Sequence, residues 1–444
     1  LKIIKYLKTR PLIRAHVLPL FGSPTRRRLA SGAFWAGVGG FCSRGIVVLA
    51  SFFIARILGQ MHFGEYGVVN STAAMLSAVA GFGVGTTATK YVAELKLKDQ
   101  KRAGRIIALS SMITWISGLL YGLVFIVFAP WLAEKTLAAP HLASLLRISS
   151  VSVALGVING AQTCTLAGFE AFRVTAFINT GCGIVQAAFV VLGAYWGGIK
   201  GAVVGMAAST CLTVLVTSFL LRREMTRFGI QNWWRAAWSE WPVLVNFSLP
   251  AFLMTMVTGP VTWAGNAMLA NQPNGYDELG LLNATNQWYG AVAFLPSLIT
   301  TAALPFFSEK IGANDQPSNL RIVIRMMGMT ALVVIPLLVI MSLASRLIMH
   351  GYGATFERGY LILILSIFTA GVHSVVTPCW YLLMASGRMW VCFVMNLGWG
   401  AIFLVGLLPL VKFGAEGVAS ARLIAYILHG LWIVGYVFLC NRRK

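Results

Sequence analysis

The sequence predicts an all-α membrane protein with twelve transmembrane helices in two six-helix bundles related by a pseudo-twofold axis. Three observations lead there. The composition, 58% hydrophobic and 11% charged over 444 residues, with a mean hydropathy of +0.77, excludes a soluble globular protein. Apolar runs near the ~20 residues needed to cross ~30 Å of hydrocarbon fall at about 30–55, 66–86, 106–130, 145–166, 174–196, 202–221, 243–269, 280–306, 324–349, 359–384, 389–411 and 416–439. An internal repeat at an offset of 213 residues aligns Glu65 to Ala80 with Glu278 to Ala293, with seven of sixteen positions identical. Six spans per half is an even number, so both copies enter the membrane from the same side and the repeat is parallel.

The cations set the expected orientation. Of the 35 Lys and Arg, 26 fall on one side of this topology and seven on the other (Arg56, Lys135, Arg147, Lys200, Arg346, Arg358 and Lys412). By the positive-inside rule the richer side is cytoplasmic, and both termini lie there. The net charge of +22 is thereby read as a topology signal with attraction to anionic membrane lipids. Nucleic-acid binding is not expected, because the basic residues are dispersed over short loops. The expected division is a basic cytoplasmic arm at 1–29, a first bundle at 30–221, a cytoplasmic interfacial linker at 222–242 and a second bundle at 243–444. Charges spread through residues 1–28, with Pro11, Pro19 and Pro24 among them, do not read as a signal peptide. In the linker, Trp233, Trp234, Trp238 and Trp241 alternate with Arg235 and Glu240, as in a helix lying at the membrane interface.

The seven cysteines fall in or at the ends of spans without a CxxC pair. They read as small apolar residues rather than disulfides or metal ligands. No Walker loop, HExxH, GxSxG or Cys/His cluster supports an enzymatic reading, and neither a cofactor nor a metal is expected.

All thirteen acids map to loops or helix ends. Proton- and sodium-driven antiporters generally need an intramembrane carboxylate, so this placement argues against ordinary cation coupling. Two cations do fall within spans: Arg44 near the middle of the first, and Arg422 about two turns from the outer end of the last. Either can contact an anion in a wet cavity or brace neighbouring helices, and Arg422 can also snorkel outward. His373 and His429 are lone imidazoles for which an interhelical hydrogen bond is the default and a substrate or proton contact the alternative. Asn70 in the second span, and Asn283, Asn286 and Gln287 in the eighth, either line a polar cavity or hold helices together. Gly37, Pro250 and Pro260 are expected hinges: the repeat offset sets Pro250 on Gly37, and both residue types weaken a helix.

Four motifs in succession give the chain a family likeness: Arg56-Ile57-Leu58-Gly59, Phe63-Gly64-Glu65-Tyr66-Gly67, Gly81-Phe82-Gly83-Val84-Gly85 and Lys90-Tyr91-Val92-Ala93-Glu94. Here the sequence resembles the polysaccharide transporters that include Wzx-type O-antigen flippases. The Gly168-Phe169-Glu170 loop, and Gly198-Ile199-Lys200-Gly201 echoed by Gly414-Ala415-Glu416-Gly417, extend the likeness along the chain. The resemblance implies the V-shaped fold of multidrug and toxic-compound extrusion proteins. It also implies a flippase of the cytoplasmic membrane that carries undecaprenyl-diphosphate-linked oligosaccharide to the outer leaflet for O-antigen, capsule or exopolysaccharide synthesis. Arg44 is then expected to hold the diphosphate, with Arg422 a weaker second contact. Lys90 would attract the diphosphate at the inner mouth, and a glycan polymerase and chain-length regulator fit as protein partners. The rival reading is a cation-coupled multidrug or metabolite antiporter of the same fold.

Overall fold

The computed structural model describes the backbone at 24–231, 234–243, 248, 252–253, 256–312 and 316–442. Most of the basic arm, and Pro250 and Trp233, lie outside the described residues. The helices, in chain order, are α1 (Pro24–Ala80), α2 (Val84–Leu95), α3 (Gln100–Trp131), α4 (Ala143–Gly168), α5 (Phe172–Arg227), α6 (Thr258–Ala270), α7 (Gly275–Gly312), α8 (Gln316–Leu343), α9 (Ser345–Tyr352), α10 (Tyr360–Ala385), α11 (Met389–Leu410) and α12 (Gly414–Arg442).

The expected fold needs correction. Among the described residues, seven continuous helical stretches are long and apolar enough to cross a membrane, not twelve separate spans in two six-helix bundles. Part of the difference lies at the reversals. Three pairs of stretches expected as neighbouring spans run into one another, at Gly37–Ala80, Phe172–Arg227 and Met389–Leu439, and the stretches expected at 243–269 and 280–306 are not among the seven. α1 has 57 residues, about 85 Å if straight, and breaks at Gly59 (φ 75°, ψ 172°). α5 breaks at Gly197 and at Gly198 (φ 55°), and there it doubles back. Gly193 packs on Gly201, and Gly205 on the Phe189 carbonyl, although residues 189 and 205 stand about 24 Å apart in a straight helix. The glycines at the crossing let the two arms touch backbone to backbone.

Large apolar side chains point outward along these helices, among them Phe41, Leu49, Phe53, Val127, Trp196, Leu215, Leu332, Leu343 and Leu431. In water such a surface is unfavourable; in hydrocarbon it costs nothing, and helices satisfy their backbone groups internally. The chain is a multi-pass membrane protein.

The largest buried cluster joins both copies of the repeat, with Phe63, Val68 and Val69 of α1 against Leu281, Leu282 and Ala284 of α7, and Tyr352 and Phe356 beside them. Here the two helices carrying the repeat cross at backbone distance. A Cβ on Gly64 collides with the Tyr276 carbonyl, one on Gly280 collides with the Gln60 carbonyl, and one on Gly67 lies 2.7 Å from Asn283 Cγ. Gly67 and Gly280 are repeat partners, so both copies of the repeat give a glycine to the contact. Gln60 Nε2 donates to the Asp277 carbonyl (2.9 Å) and Asn283 Nδ2 to the Phe63 carbonyl (3.3 Å). Tyr276 (2.7 Å) and Asn271 (2.8 Å) donate to carbonyls of residues 137 and 136.

Of the linker expected at 222–242, α5 takes residues to Arg227, and a 3₁₀ helix, Trp234–Glu240, follows. Trp234, Trp238 and Trp241 are exposed. Glu240 is buried and accepts from Arg102 Nε (3.1 Å) and Arg105 Nη2 (3.0 Å) of α3, so the linker is clamped to α3.

Gly280→Leu should push α7 off α1. With Gln60→Cys and Asp277→Cys introduced on the two helices, oxidative cross-linking should be efficient in the parent and nearly absent with the leucine. Equal cross-linking in both would mean that the crossing does not depend on the missing side chain.

Candidate functional site

The crossing of α1 and α7 creates a polar seam. Below it a cavity of about 120 Å³ is lined by Ser51, Tyr66, Asn70, Asn283 and Gln287, with Gln186 of α5 opposite. Asn70 and Asn283 are repeat partners that face one space. Arg44 stands one turn from the lining residue Val47, with its Nη1 3.4 Å from the position of a Cβ on Gly290. It is exposed, and among the described residues it makes no hydrogen bond or ion pair. A cation in that state is available to a ligand.

Arg422 is in the opposite state. It is 8% exposed; Nη1 donates to Asn286 Oδ1 (2.7 Å) and Nη2 to Ser366 Oγ (3.1 Å). Its guanidinium lies over the Tyr289 ring at 5.3 Å, and the Tyr289 hydroxyl pairs with His373 Nδ1 (2.9 Å). Arg422 therefore does not snorkel outward; it braces α12 against α7 and α10. Asn286 belongs to this brace rather than to the seam cavity, so the structure separates it from Asn283 and Gln287.

His373 also lines a second cavity, of about 510 Å³, between α6, α7, α10, α11 and α12. His429 lies on its wall as well, as do Trp380, Trp399 and Tyr426. Lys90 lies on α2, 5.0 Å from the Tyr91 ring, and lines neither cavity. Gly37 sits inside α1, whose backbone departs from helix at Gly59 instead. Pro260 is the third residue of α6, in the first turn, where a missing amide hydrogen breaks no helical bond.

Two carboxylates at repeat positions flank the crossing. Glu65, only 1% exposed, is held by His62 Nδ1 (2.8 Å) and His141 Nε2 (2.5 Å). Its partner Glu278 is held by Arg358 Nη2 (3.0 Å) and the Ala415 amide (2.9 Å). Sequence alone placed all acids at loops or helix ends; Glu65 lies inside the continuous α1 and is buried. The repeat alignment at Glu65 and Glu278 was the available signal, and the histidines come from residues no local pattern connects. Trp399 and Tyr426 were also missed, since they read as ordinary apolar positions.

Residues 29–310 match the family model for polysaccharide biosynthesis proteins. The chain belongs to that family. It is 25% identical over 280 residues to the EPS I polysaccharide export inner membrane protein EpsE of Ralstonia nicotianae, a match covering 62% of each chain. The chain thus spans under two thirds of that relative's length. It is 23% identical to the lipid III flippase of Escherichia coli K12, across 65% of this chain and 69% of that one. Among solved structures it is similar to the lipid II flippase MurJ in an inward closed conformation, with a TM-score of 0.72, 16% identity and coverage of 90% and 87%. It is also similar to an inward-facing multidrug resistance MATE family transporter of the MOP superfamily, with a TM-score of 0.69, 14% identity and coverage of 90% and 96%. The all-α multi-pass fold is that of the MATE-like transporters.

The two arginines should separate in stability. Arg422→Ala strands Asn286 and Ser366 in a buried site, a loss of about 2–3 kcal/mol, and should lower both thermal stability and folded protein in the membrane. Thermal unfolding in detergent measures it; an unchanged midpoint would remove the bracing role.

Proposed function

We propose that the protein is an inner-membrane flippase for undecaprenyl-diphosphate-linked oligosaccharide, moving it from the inner to the outer leaflet by alternating access. The reading is supported by family membership and by the names of the curated relatives, an export protein and a lipid III flippase. The observation that carries it is Arg44, a cation without a protein partner among the described residues, beside the amide-lined seam between the repeat helices. A diphosphate is nearly insoluble in hydrocarbon, and a guanidinium in a polar cavity offers it charge-assisted, bidentate hydrogen bonds. Asn70, Asn283 and Gln287 supply further donors around it.

Both termini are cytoplasmic in this reading, and Lys90 lies near the inner mouth, where it draws the anionic headgroup in. The two repeat halves, 30–221 and 243–444, move against each other about the seam. The glycine breaks at Gly59 and Gly197–Gly198 serve as points of flexure better than Gly37 or Pro260, because there the backbone has already left the helix. Moving two negative charges outward across ~150 mV, cell interior negative, releases about 7 kcal/mol. The potential alone is therefore a sufficient driving force for export. Glycan polymerase and chain-length regulator are the protein partners this activity calls for.

Arg44→Ala should abolish export while protein abundance stays near normal, since no bond among the described residues depends on the side chain. Arg44→Lys should keep part of the activity, because charge survives while the planar fork is lost. Surface glycan, measured alongside membrane protein level for both variants, is the test. Full export by Arg44→Ala ends the proposal, and proton-coupled uptake of a soluble cation by proteoliposomes would favour the antiporter reading.

A further inference from the structure

The 510 Å³ cavity lies within the roughly 300–1,000 Å³ of small-ligand sites. Three of the residues that line it each carry a buried polar atom without a hydrogen-bond partner among the described residues: Ser374 Oγ, Trp399 Nε1 and His429 Nε2. Their residues are 3%, 3% and 9% exposed respectively. Each such atom costs free energy in a low-dielectric interior unless something bonds to it, and three around one cavity mark a space shaped for a polar occupant.

Chemistry narrows that occupant. No Asp, Glu, Lys or Arg is among the described residues lining the cavity, so a free diphosphate finds no counter-charge on them. Aromatic faces are abundant. Trp380 packs near His429 with ring centroids 6.3 Å apart, and Tyr426 lies 5.1 Å from His373 and 5.2 Å from Trp399. A neutral ligand with an apolar C–H face and a rim of hydroxyls matches both features: its face lies on the partly exposed Trp380 and Tyr426, and its hydroxyls reach the unpaired donors and acceptors. That is a sugar ring. The position is fixed from behind, where Arg422 holds Tyr289 and Tyr289 holds His373.

We infer that this cavity is a saccharide subsite, separate from the diphosphate contact at Arg44, which receives part of the oligosaccharide of the lipid-linked precursor. The inference rests on the flippase reading above and adds to it where the glycan is recognised. Specificity for the glycan would then be set by α10, α11 and α12, while α1 and α7 hold the part common to every such lipid.

The test is equilibrium binding to the full-length protein in lipid nanodiscs. Two probes are used: undecaprenyl-diphosphate-linked repeat unit extracted from the source cells, and undecaprenyl diphosphate without sugar. The parent should bind the glycosylated lipid more tightly. Ser374→Ala and Trp399→Phe should each weaken that binding about three- to tenfold and leave the bare lipid unaffected. Ser374→Ala removes a hydroxyl without a partner, so thermal stability of the unliganded protein should hold or rise while affinity falls. A purely structural residue does not behave this way, and this variant covers the case in which Trp399→Phe misfolds. Equal binding of the two lipids by the parent, equal loss of both in the variants, or unchanged glycan affinity in Ser374→Ala each overturns the subsite and leaves the flippase reading standing. If neither lipid binds the folded parent, the flippase reading itself fails.

Discussion

The backbone-to-backbone crossing of α1 and α7 is the contact on which the rest of the molecule depends. Gly64 and Gly280 leave carbonyls of the facing helix where side chains would stand, and Gly67 leaves room for the Asn283 side chain. Without a hydrophobic drive between helices in lipid, such close approach supplies the van der Waals contact and interhelical hydrogen bonds that hold spans together. It turns Asn70 and Asn283 toward one space, brings Arg44 beside Gly290, and carries Glu65 and Glu278 at matching repeat positions.

A second regularity concerns which polar groups are paired. Glu65, Glu240, Glu278 and Arg422 are each tied by two or more hydrogen bonds or ion pairs, as low-dielectric surroundings require. These are struts. The exposed Arg44 and the buried Ser374 Oγ, Trp399 Nε1 and His429 Nε2 are the contrast, polar groups left without hydrogen-bond partners among the described residues.

The two repeat halves have diverged. Glu65 is held by two histidines and Glu278 by an arginine and a helix-terminal amide, so one geometric role is filled by different chemistry. The larger cavity belongs to α10–α12 and their neighbours α6 and α7.

From sequence alone, the membrane class, the helical content and the repeat were legible, because apolar run length, charge count and residue identity are local properties. The helix count was not. The apolar runs divide at about 55–66 and 196–202, where Arg56, Gln60, His62, Glu65 and Lys200 interrupt them, yet the helix continues through both places with breaks only at Gly59 and Gly197–Gly198. Nor could sequence sort the polar residues. Asn283 and Asn286 are three positions apart and look alike, yet one faces the seam and the other braces Arg422. His62 and His141 meet on Glu65 from elements 79 residues apart in the chain. The sequence by itself determined which groups enter the membrane; only the tertiary structure decided which of them find partners there, because pairing depends on distances that chain order does not encode.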